Sequence, residues 1–209
     1  MKVGIQEKGS SNYFTKKMAL SSIKVTGLLT NNLTAIDIGA GEGELTTILS
    51  PMFKDIIVLD VYKSQVLSKN TQFIYADLNK DWDIPRKVDF AFSLEVIEHV
   101  ENPRHFFRQV NLALNPHGYF FLTTPNNHSI YSKLTFLIKG EHRYFQDPSY
   151  PAHITALTKK DFVRIANETG FKLVKWFYAD EDMLPIIHLR VKLPGKLFSQ
   201  SIGVLFKKN

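Results

Sequence analysis

Cysteine is absent from the 209-residue chain, which removes disulfides, thiolate metal ligands and any covalent cysteine nucleophile at once. Such a composition fits a reducing compartment. No apolar run approaches the length needed to span a bilayer, and residues 1–11 are polar and mixed in charge, without the apolar centre of a secretory signal. The expectation is a cytoplasmic protein. Acidic side chains give out before the end of the chain: none follows Asp182, whereas Arg190, Lys192, Lys196, Lys207 and Lys208 remain. Internal repeats and low-complexity tracts are also missing, which excludes solenoid and fibrous architectures.

What is present is an ordinary globular composition, 44% hydrophobic and 22% charged, long enough for one well-filled core. One domain over 1–209 is expected, with a helical cover over 1–33 and a long aromatic and basic connection over 126–157. The net charge of +6 permits attraction to nucleic acid, anionic lipid or a phosphorylated small molecule and selects none of them.

The chain is organised around Ala35-Ile36-Asp37-Ile38-Gly39-Ala40-Gly41-Glu42-Gly43-Glu44-Leu45, a short apolar strand running into three alternating glycines and a helix. Alternate glycines let the backbone pass close to a ligand, and the helix N-terminus offers unpaired N–H groups to an anion. The dinucleotide fingerprint wants G-x-G-x-x-G. Here the spacing is G-x-G-x-G, and Asp37 precedes the first glycine. A second apolar run, 56–60, closes with Asp60 about 20 residues beyond the loop, where doubly wound folds put a carboxylate on ribose hydroxyls; capping a helix over 62–68 is the alternative role. A third strand over 72–75 ends at Ala76-Asp77-Leu78. Strand four, 88–93, leads into Leu94-Glu95-Val96-Ile97-Glu98-His99-Val100. Asn102-Pro103 then caps a helix over 104–114, Asn115-Pro116-His117-Gly118 stops it, and 119–124 is strand five. A short helix is expected around 132–138, another from Thr158 to about 169, and strands over 171–178 and 201–206.

The glycine loop resembles the first motif of class I S-adenosylmethionine-dependent methyltransferases. The pair LEVIEHVENP and LNPHGYFFLTTPN is similar to the ubiquinone-biosynthesis type and its relatives acting on small molecules. The resemblance runs from about residue 35 to 171, with its motifs in order. It implies an α/β fold of three αβα layers, Rossmann-like, with a seven-stranded, mostly parallel sheet in the order 3-2-1-4-5-7-6 and an antiparallel last strand. It implies S-adenosylmethionine as cofactor and S-adenosylhomocysteine as product. Asp37, Gly39, Ala40, Gly41 and Gly43 would lie at the methionine half, Asp60 and Val61 at the ribose, and Asp77 and Leu78 at the adenine, with Ser93 in the same site.

Methyl transfer from a sulfonium is an in-line displacement, so the protein chiefly aligns donor and nucleophile and excludes water. Without cysteine, a covalent cytosine C5 mechanism is excluded. Ser93-Leu94-Glu95-Val96 also differs from the Asn-Pro-Pro-aromatic signature of enzymes that methylate amines of DNA bases. An oxygen nucleophile on a small hydroxylated metabolite or saccharide is the leading expectation. Two alternatives stay open: 2′-O-methylation of an RNA 3′ end, and a catalytically silent scaffold that keeps the cofactor site.

Glu95, Glu98 and His99 stand at i, i+3 and i+4, and on a helix they would share one face. Two carboxylates and an imidazole suit Mg or another divalent cation. In metal-dependent relatives a second histidine precedes a Thr/Ser-led helix, which the resemblance carries onto His153. The plain alternative is capping and ion pairing by the glutamates, with Glu95, His99 and His153 as the catalytic candidates if no ion is used. His128, His142 and Arg143 are substrate contacts or solvated loop residues. Tyr131, Phe136, Tyr144, Phe145 and Tyr150 wall an acceptor pocket or fill core. The stretch 183–198 alternates apolar and basic residues around Pro185 and Pro194, which fits peripheral contact with an anionic membrane or packing against protein; prolines forbid one continuous helix there.

Overall fold

The computed structural model describes residues 13–63, 68–178 and 195–209. Seven strands form one sheet in the order β3-β2-β1-β4-β5-β7-β6. They are β1 (Thr34–Ile38), β2 (Asp55–Asp60), β3 (Thr71–Tyr75), β4 (Val88–Leu94), β5 (Leu114–Pro125), β6 (Phe171–Tyr178) and β7 (Ser201–Lys208). The first five pair in parallel, and β7 runs antiparallel between β5 and β6. Among the described residues the helices are α1 (Tyr13–Thr26), α2 (Glu44–Leu49), α3 (Pro103–Ala113), α4 (Ile130–Lys139), α5 (Lys159–Glu168) and α6 (Gly195–Phe198). The sheet order is the one implied by the family resemblance.

Alternation along the central strands divides the core into two layers, one on each face of the sheet. Ile36, Ile38 and Ala91 point to one face, where Phe106, Phe107 and Phe162 of α3 and α5 cover them. Ala35, Phe90 and Phe92 point to the other, against Met18, Ala19 and Ile23 of α1 and Leu45 and Leu49 of α2. Of the helical cover expected over 1–33, the described residues form α1, which is itself core, and a 3₁₀ turn at Thr30–Asn32. Lys16 of α1 reaches Glu44 at the start of α2 across 2.6 Å.

The capping signals act as the residue types require. Asn102 Oδ1 accepts from the His105 amide at 3.0 Å, with Pro103 in the first turn, and Thr158 forms a reciprocal capping box with Asp161. Two expectations need correction. β5 begins at Leu114, and Asn115 to Gly118 enter the strand through an irregularity opposite Val88 and Phe90, with His117 at φ 64°. After Leu94 there is no helix carrying Glu95, Glu98 and His99 on one face: only Ile97–His99 makes a 3₁₀ turn. Glu95 sits outside it at φ 54°, in the left-handed region, and its amide donates to Thr123 O and Thr123 Oγ1, both at 3.1 Å. The helix expected over 62–68 and most of the stretch 183–198 lie outside the described residues. Among the described residues no helix is long and apolar enough to cross a membrane.

Candidate active site

Parallel strands β1 and β4 are neighbours whose connections leave in opposite directions across the sheet, and the crevice at their C-terminal ends is where such folds bind ligands. The glycine loop lies at that crevice. Gly39, Gly41 and Gly43 all have positive φ, at 71°, 54° and 76°, so each alternate position uses the conformational freedom only glycine has without strain. Gly39 has a second reason to lack a side chain: a Cβ there would stand 2.5 Å from Val96 Cγ2.

Two carboxylates brace this loop from the protein side. Asp37 is 2% exposed and its Oδ2 accepts from Thr46 Oγ1 at 2.6 Å. Burial pushes its carboxyl up to about 6, against the opposing hydrogen bond from Thr46. Asp37 thus acts from beneath the loop. Asp60 Oδ2 accepts from the Gly41 amide at 2.8 Å, and its Oδ1 accepts from the Tyr62 amide at 2.9 Å. Each carboxylate oxygen carries two lone pairs, so Asp60 can hold the loop and still take a hydroxyl. Asp77 closes a local turn with the Asn79 amide at 3.1 Å and meets Lys80 at 3.2 Å; the Asn79 bond leads the causes that hold its carboxyl below the usual range. Leu78 packs on the core edge. Ser93 is fully buried at the end of β4, and its hydroxyl has no hydrogen-bond partner among the described residues. Val61 follows Asp60 and is half-buried, as is Ala40 within the loop.

The second half of the site lies across the crevice. One carboxylate oxygen of Glu98 and one ring nitrogen each of His99 and His153 lie within 4.8 Å of one another. His99 Nδ1 is 2.8 Å from Ala152 O and His153 Nδ1 is 2.6 Å from Tyr144 O. A carbonyl only accepts, so these partners assign the proton to Nδ1 in both rings and leave each Nε2 with its lone pair. The rings meet at 4.8 Å and 74°. Burial lowers the His99 pKa, and the neighbouring His153 lowers it further. Glu98 is fully buried. Its Oε2 accepts from Thr124 Oγ1 at 3.2 Å, while Oε1 has no partner among the described residues. Burial first, then the charge of Glu95, raises its carboxyl well above the usual range. The donor set, two oriented imidazoles and an unsatisfied carboxylate oxygen, fits a divalent cation.

Of the four expected ligands, three converge, and Glu95 is not among the converging atoms. The other candidates have different work. His128 Nε2 accepts the Lys159 amide at 3.0 Å and so ties the insertion to the start of α5. His142 lies against Phe136 at 4.9 Å and 3.3 Å from Ser132 Oγ. Arg143 stands over the rings of Tyr131 and Tyr144 at 5.4 and 5.7 Å. Of the five aromatics, Phe145 reaches His153, at 5.5 Å, Tyr131 packs on Phe198, and Phe136 and Tyr150 are exposed. Thr46 on α2 and Thr123 and Thr124 on β5, which hydrogen-bond Asp37, Glu95 and Glu98, carry no sequence signal, because each meets its acid across an element boundary.

A methyltransferase domain model matches residues 13–175. Two curated relatives are mitochondrial ubiquinone biosynthesis O-methyltransferases. The one from Dictyostelium discoideum is 27% identical over 136 residues, covering 56% of this chain and 42% of its own. That from Arabidopsis thaliana is 27% identical over 159 residues, covering 66% and 49%. The chain thus spans about half the length of the curated relatives it matches. Among solved structures, an S-adenosylmethionine-dependent methyltransferase from Mesorhizobium loti has a TM-score of 0.62 at 17% identity, covering 90% of this chain and 96% of its own. The N-methyltransferase NodS of Bradyrhizobium japonicum, solved with S-adenosyl-L-homocysteine, has a TM-score of 0.61 at 14% identity, covering 94% and 88%. With the glycine loop, the crevice and a domain match from α1 to β6, the chain belongs to the class I S-adenosylmethionine-dependent methyltransferase family.

Proposed function

We propose that this domain transfers the methyl group of S-adenosylmethionine to a hydroxyl oxygen of a small metabolite or saccharide, at a site that takes a divalent cation. The observation that carries the oxygen assignment is the convergence of Glu98, His99 and His153 across the crevice from the glycine loop. In this reading Gly39 to Gly43 face the methionine half of the cofactor, Asp60 takes ribose hydroxyls, Asp77 the adenine amino group, and Ala40, Val61, Leu78 and Ser93 complete the walls. The S–CH₃ bond breaks as the O–CH₃ bond forms, the sulfonium leaves as a neutral thioether, and the hydroxyl proton would pass to solvent where the ion is held or to an imidazole Nε2 where it is not. Glu98, His99 and His153 would hold the ion, which supplies a lowered acceptor pKa and a fixed orientation. Used without an ion, the same imidazoles offer Nε2 lone pairs as general bases, because their Nδ1 protons are committed to Ala152 and Tyr144. Glu95 lies beside them and adds negative charge. We place the reaction in the cytoplasm as part of the same proposal, on the absence of cysteine.

Calorimetry with S-adenosylhomocysteine is the first test: binding is expected, none is expected for a nicotinamide dinucleotide, and Asp60→Ala should weaken it by about 1–3 kcal/mol. Absence of binding at millimolar ligand would overturn the cofactor reading. Activity of extensively dialysed enzyme that ignores EDTA would remove the ion and leave an imidazole as base. Acceptor binding that falls steeply with salt would favour the RNA 3′ end over a small molecule, and no turnover of any acceptor in a metabolite pool would favour the scaffold.

A further inference from the structure

Among the described residues Arg143 is a cation without a counter-charge. Its guanidinium is half-buried over the rings of Tyr131 and Tyr144, and no carboxylate pairs with it there. It lines a cleft of about 310 Å³ with Tyr131, Leu134, Ile138 and Lys139, and no acid stands in that wall. Contact with the ring faces accounts for the partial burial of the charge. It does not use the fork of N–H donors in the guanidinium plane, which fits a carboxylate or phosphate two-pronged. The main chain holds Arg143 in place: its amide donates to the buried Ser132 Oγ at 3.4 Å, and its carbonyl accepts from Gln146 Nε2 at 3.0 Å. A second polar group of the wall is unsatisfied. The Tyr131 hydroxyl is buried with no hydrogen-bond partner among the described residues, although a buried tyrosine usually finds one. Leu134 and Ile138, 50% and 79% exposed, give the cleft an apolar side.

We propose that this cleft holds one end of the methyl acceptor: Arg143 takes an oxyanion, carboxylate or phosphate, Tyr131 donates its hydroxyl to it, and Leu134 and Ile138 cover the apolar body that carries it. The proposal rests on the methyltransferase reading above and narrows its acceptor to a hydroxylated, amphiphilic anion. Size agrees. The volume is at the small end of ligand pockets, with room for a single ring or a short branched chain, and an apolar wall with a few convergent polar groups is what fixes orientation in such sites. Position in the chain agrees as well. Arg143 is followed by Tyr144, whose carbonyl holds His153 Nδ1 at 2.6 Å, and by Phe145, whose ring lies 5.5 Å from His153. The group that reads charge and the contacts that orient the imidazole are thus one continuous strip. An Arg143 that merely staples the loop to α4 through the tyrosine rings would explain the stacking, but it would leave the Tyr131 hydroxyl unsatisfied and the cation unpaired.

With saturating S-adenosylhomocysteine, the full chain is titrated with phenylacetate, phenyl phosphate and neutral phenylacetamide and followed by NMR. At least one anion should move the Arg143 Nε–Hε signal, half-saturating at millimolar concentration and at least about tenfold below phenylacetamide; the tighter anion names the oxyanion. The His153 ring signal should move in step. Read from that ring signal, Arg143→Gln should weaken anion binding at least about tenfold. Arg143→Lys should restore part of it, since lysine keeps the charge and loses the fork, and Ile138→Ser should weaken it about fourfold or more. The proposal is overturned by phenylacetamide binding as tightly as the anions, by anion binding unchanged in Arg143→Gln, or by a His153 signal that stays still as Arg143 saturates. A staple alone predicts a lower melting temperature for Arg143→Gln and no anion effect in the native chain, which also overturns it. S-adenosylhomocysteine should bind the native chain and Arg143→Gln equally in calorimetry. If it binds while both anions fail, the cleft alone is rejected; if it fails too, the methyltransferase reading falls with it.

Discussion

Replacing Gly39 by alanine probes the contact between the glycine loop and the segment that follows β4. The residue has φ 71° and a new Cβ would fall 2.5 Å from Val96 Cγ2 and 3.1 Å from Cγ1. The left-handed conformation costs an L-residue about 1–2 kcal/mol. The contact adds about 1–3 kcal/mol, because Val96 is buried, its χ1 is stiff, and overpacking in a filled core forces backbone movement. Neither side yields easily: the Gly39 amide is held by Leu59 O at 2.8 Å. Gly39→Ala should therefore lose about 2–5 kcal/mol, a large part of the stability of a domain, read by urea unfolding without ligand. Val96→Ala alone removes buried methyl groups and costs about 1–3 kcal/mol. In the double variant the clash is gone and the conformational cost and the lost Val96 methyl groups remain, so its loss should fall short of the sum of the two single losses by about 1–3 kcal/mol. Losses that add within about 0.5 kcal/mol would refute the contact as the cause.

Asp37→Asn tests the buried carboxyl beneath the loop. Its pKa is raised from the ordinary 3.8 to about 6, so the unliganded fold binds this proton more tightly than the unfolded chain. The stabilisation is complete below 3.8 and is lost as pH rises through about 6, to an extent of about 3 kcal/mol. The variant should lack that slope in urea titrations between about pH 4 and pH 7, and an unchanged slope assigns it to another group. Glu98→Gln should be at least as stable as the native chain in chelator, since it removes a buried charge with an unsatisfied oxygen. Added Mn²⁺ should then raise the melting temperature of the native chain and not of the variant; an equal rise in both places the ion elsewhere. Asn102→Ala should cost about 1 kcal/mol through loss of the bond from the His105 amide, with cofactor affinity unchanged in calorimetry.

The strand, glycine loop and helix start are legible in sequence because their parts are local. A strand, its turn and its helix start are contiguous from Ala35 to Leu45, and the turn chemistry that demands glycine shows directly as three glycines. Asp60 was placed by its distance from them. What periodicity could not reveal is the second task of each acid: Asp60 holding the Gly41 amide and Asp37 buried under Thr46 depend on how α2 folds back over β1 and β2. The same limit explains the misjudged helix after β4. Spacing of i, i+3 and i+4 states which side chains would meet on a helix and says nothing of whether one forms. Here the amide of Glu95 is claimed by Thr123 of the neighbouring strand, which holds Glu95 in the left-handed region and delays the turn to Ile97.

His153 raises the harder question of how a residue over fifty positions from His99 comes to face it. Its own neighbourhood offers only the short 3₁₀ turn Asp147–Ser149. The answer lies in backbone hydrogen bonds: the amides of Ile154 and Thr155 both donate to Glu98 O at 3.0 Å, and His99 Nδ1 is 2.8 Å from Ala152 O. The segment is thus fastened on both sides of His153 to the residues it must meet, and the carbonyl of Tyr144 fixes the ring from behind. Apart from the two imidazoles themselves, every group in these bonds is main chain, so no residue pattern within the segment encodes them. They also make the pairing tolerant of what lies between Asn126 and Tyr144, because the fastening does not pass through α4. The insertion can therefore carry an exposed apolar helix without disturbing the cluster of Glu98, His99 and His153.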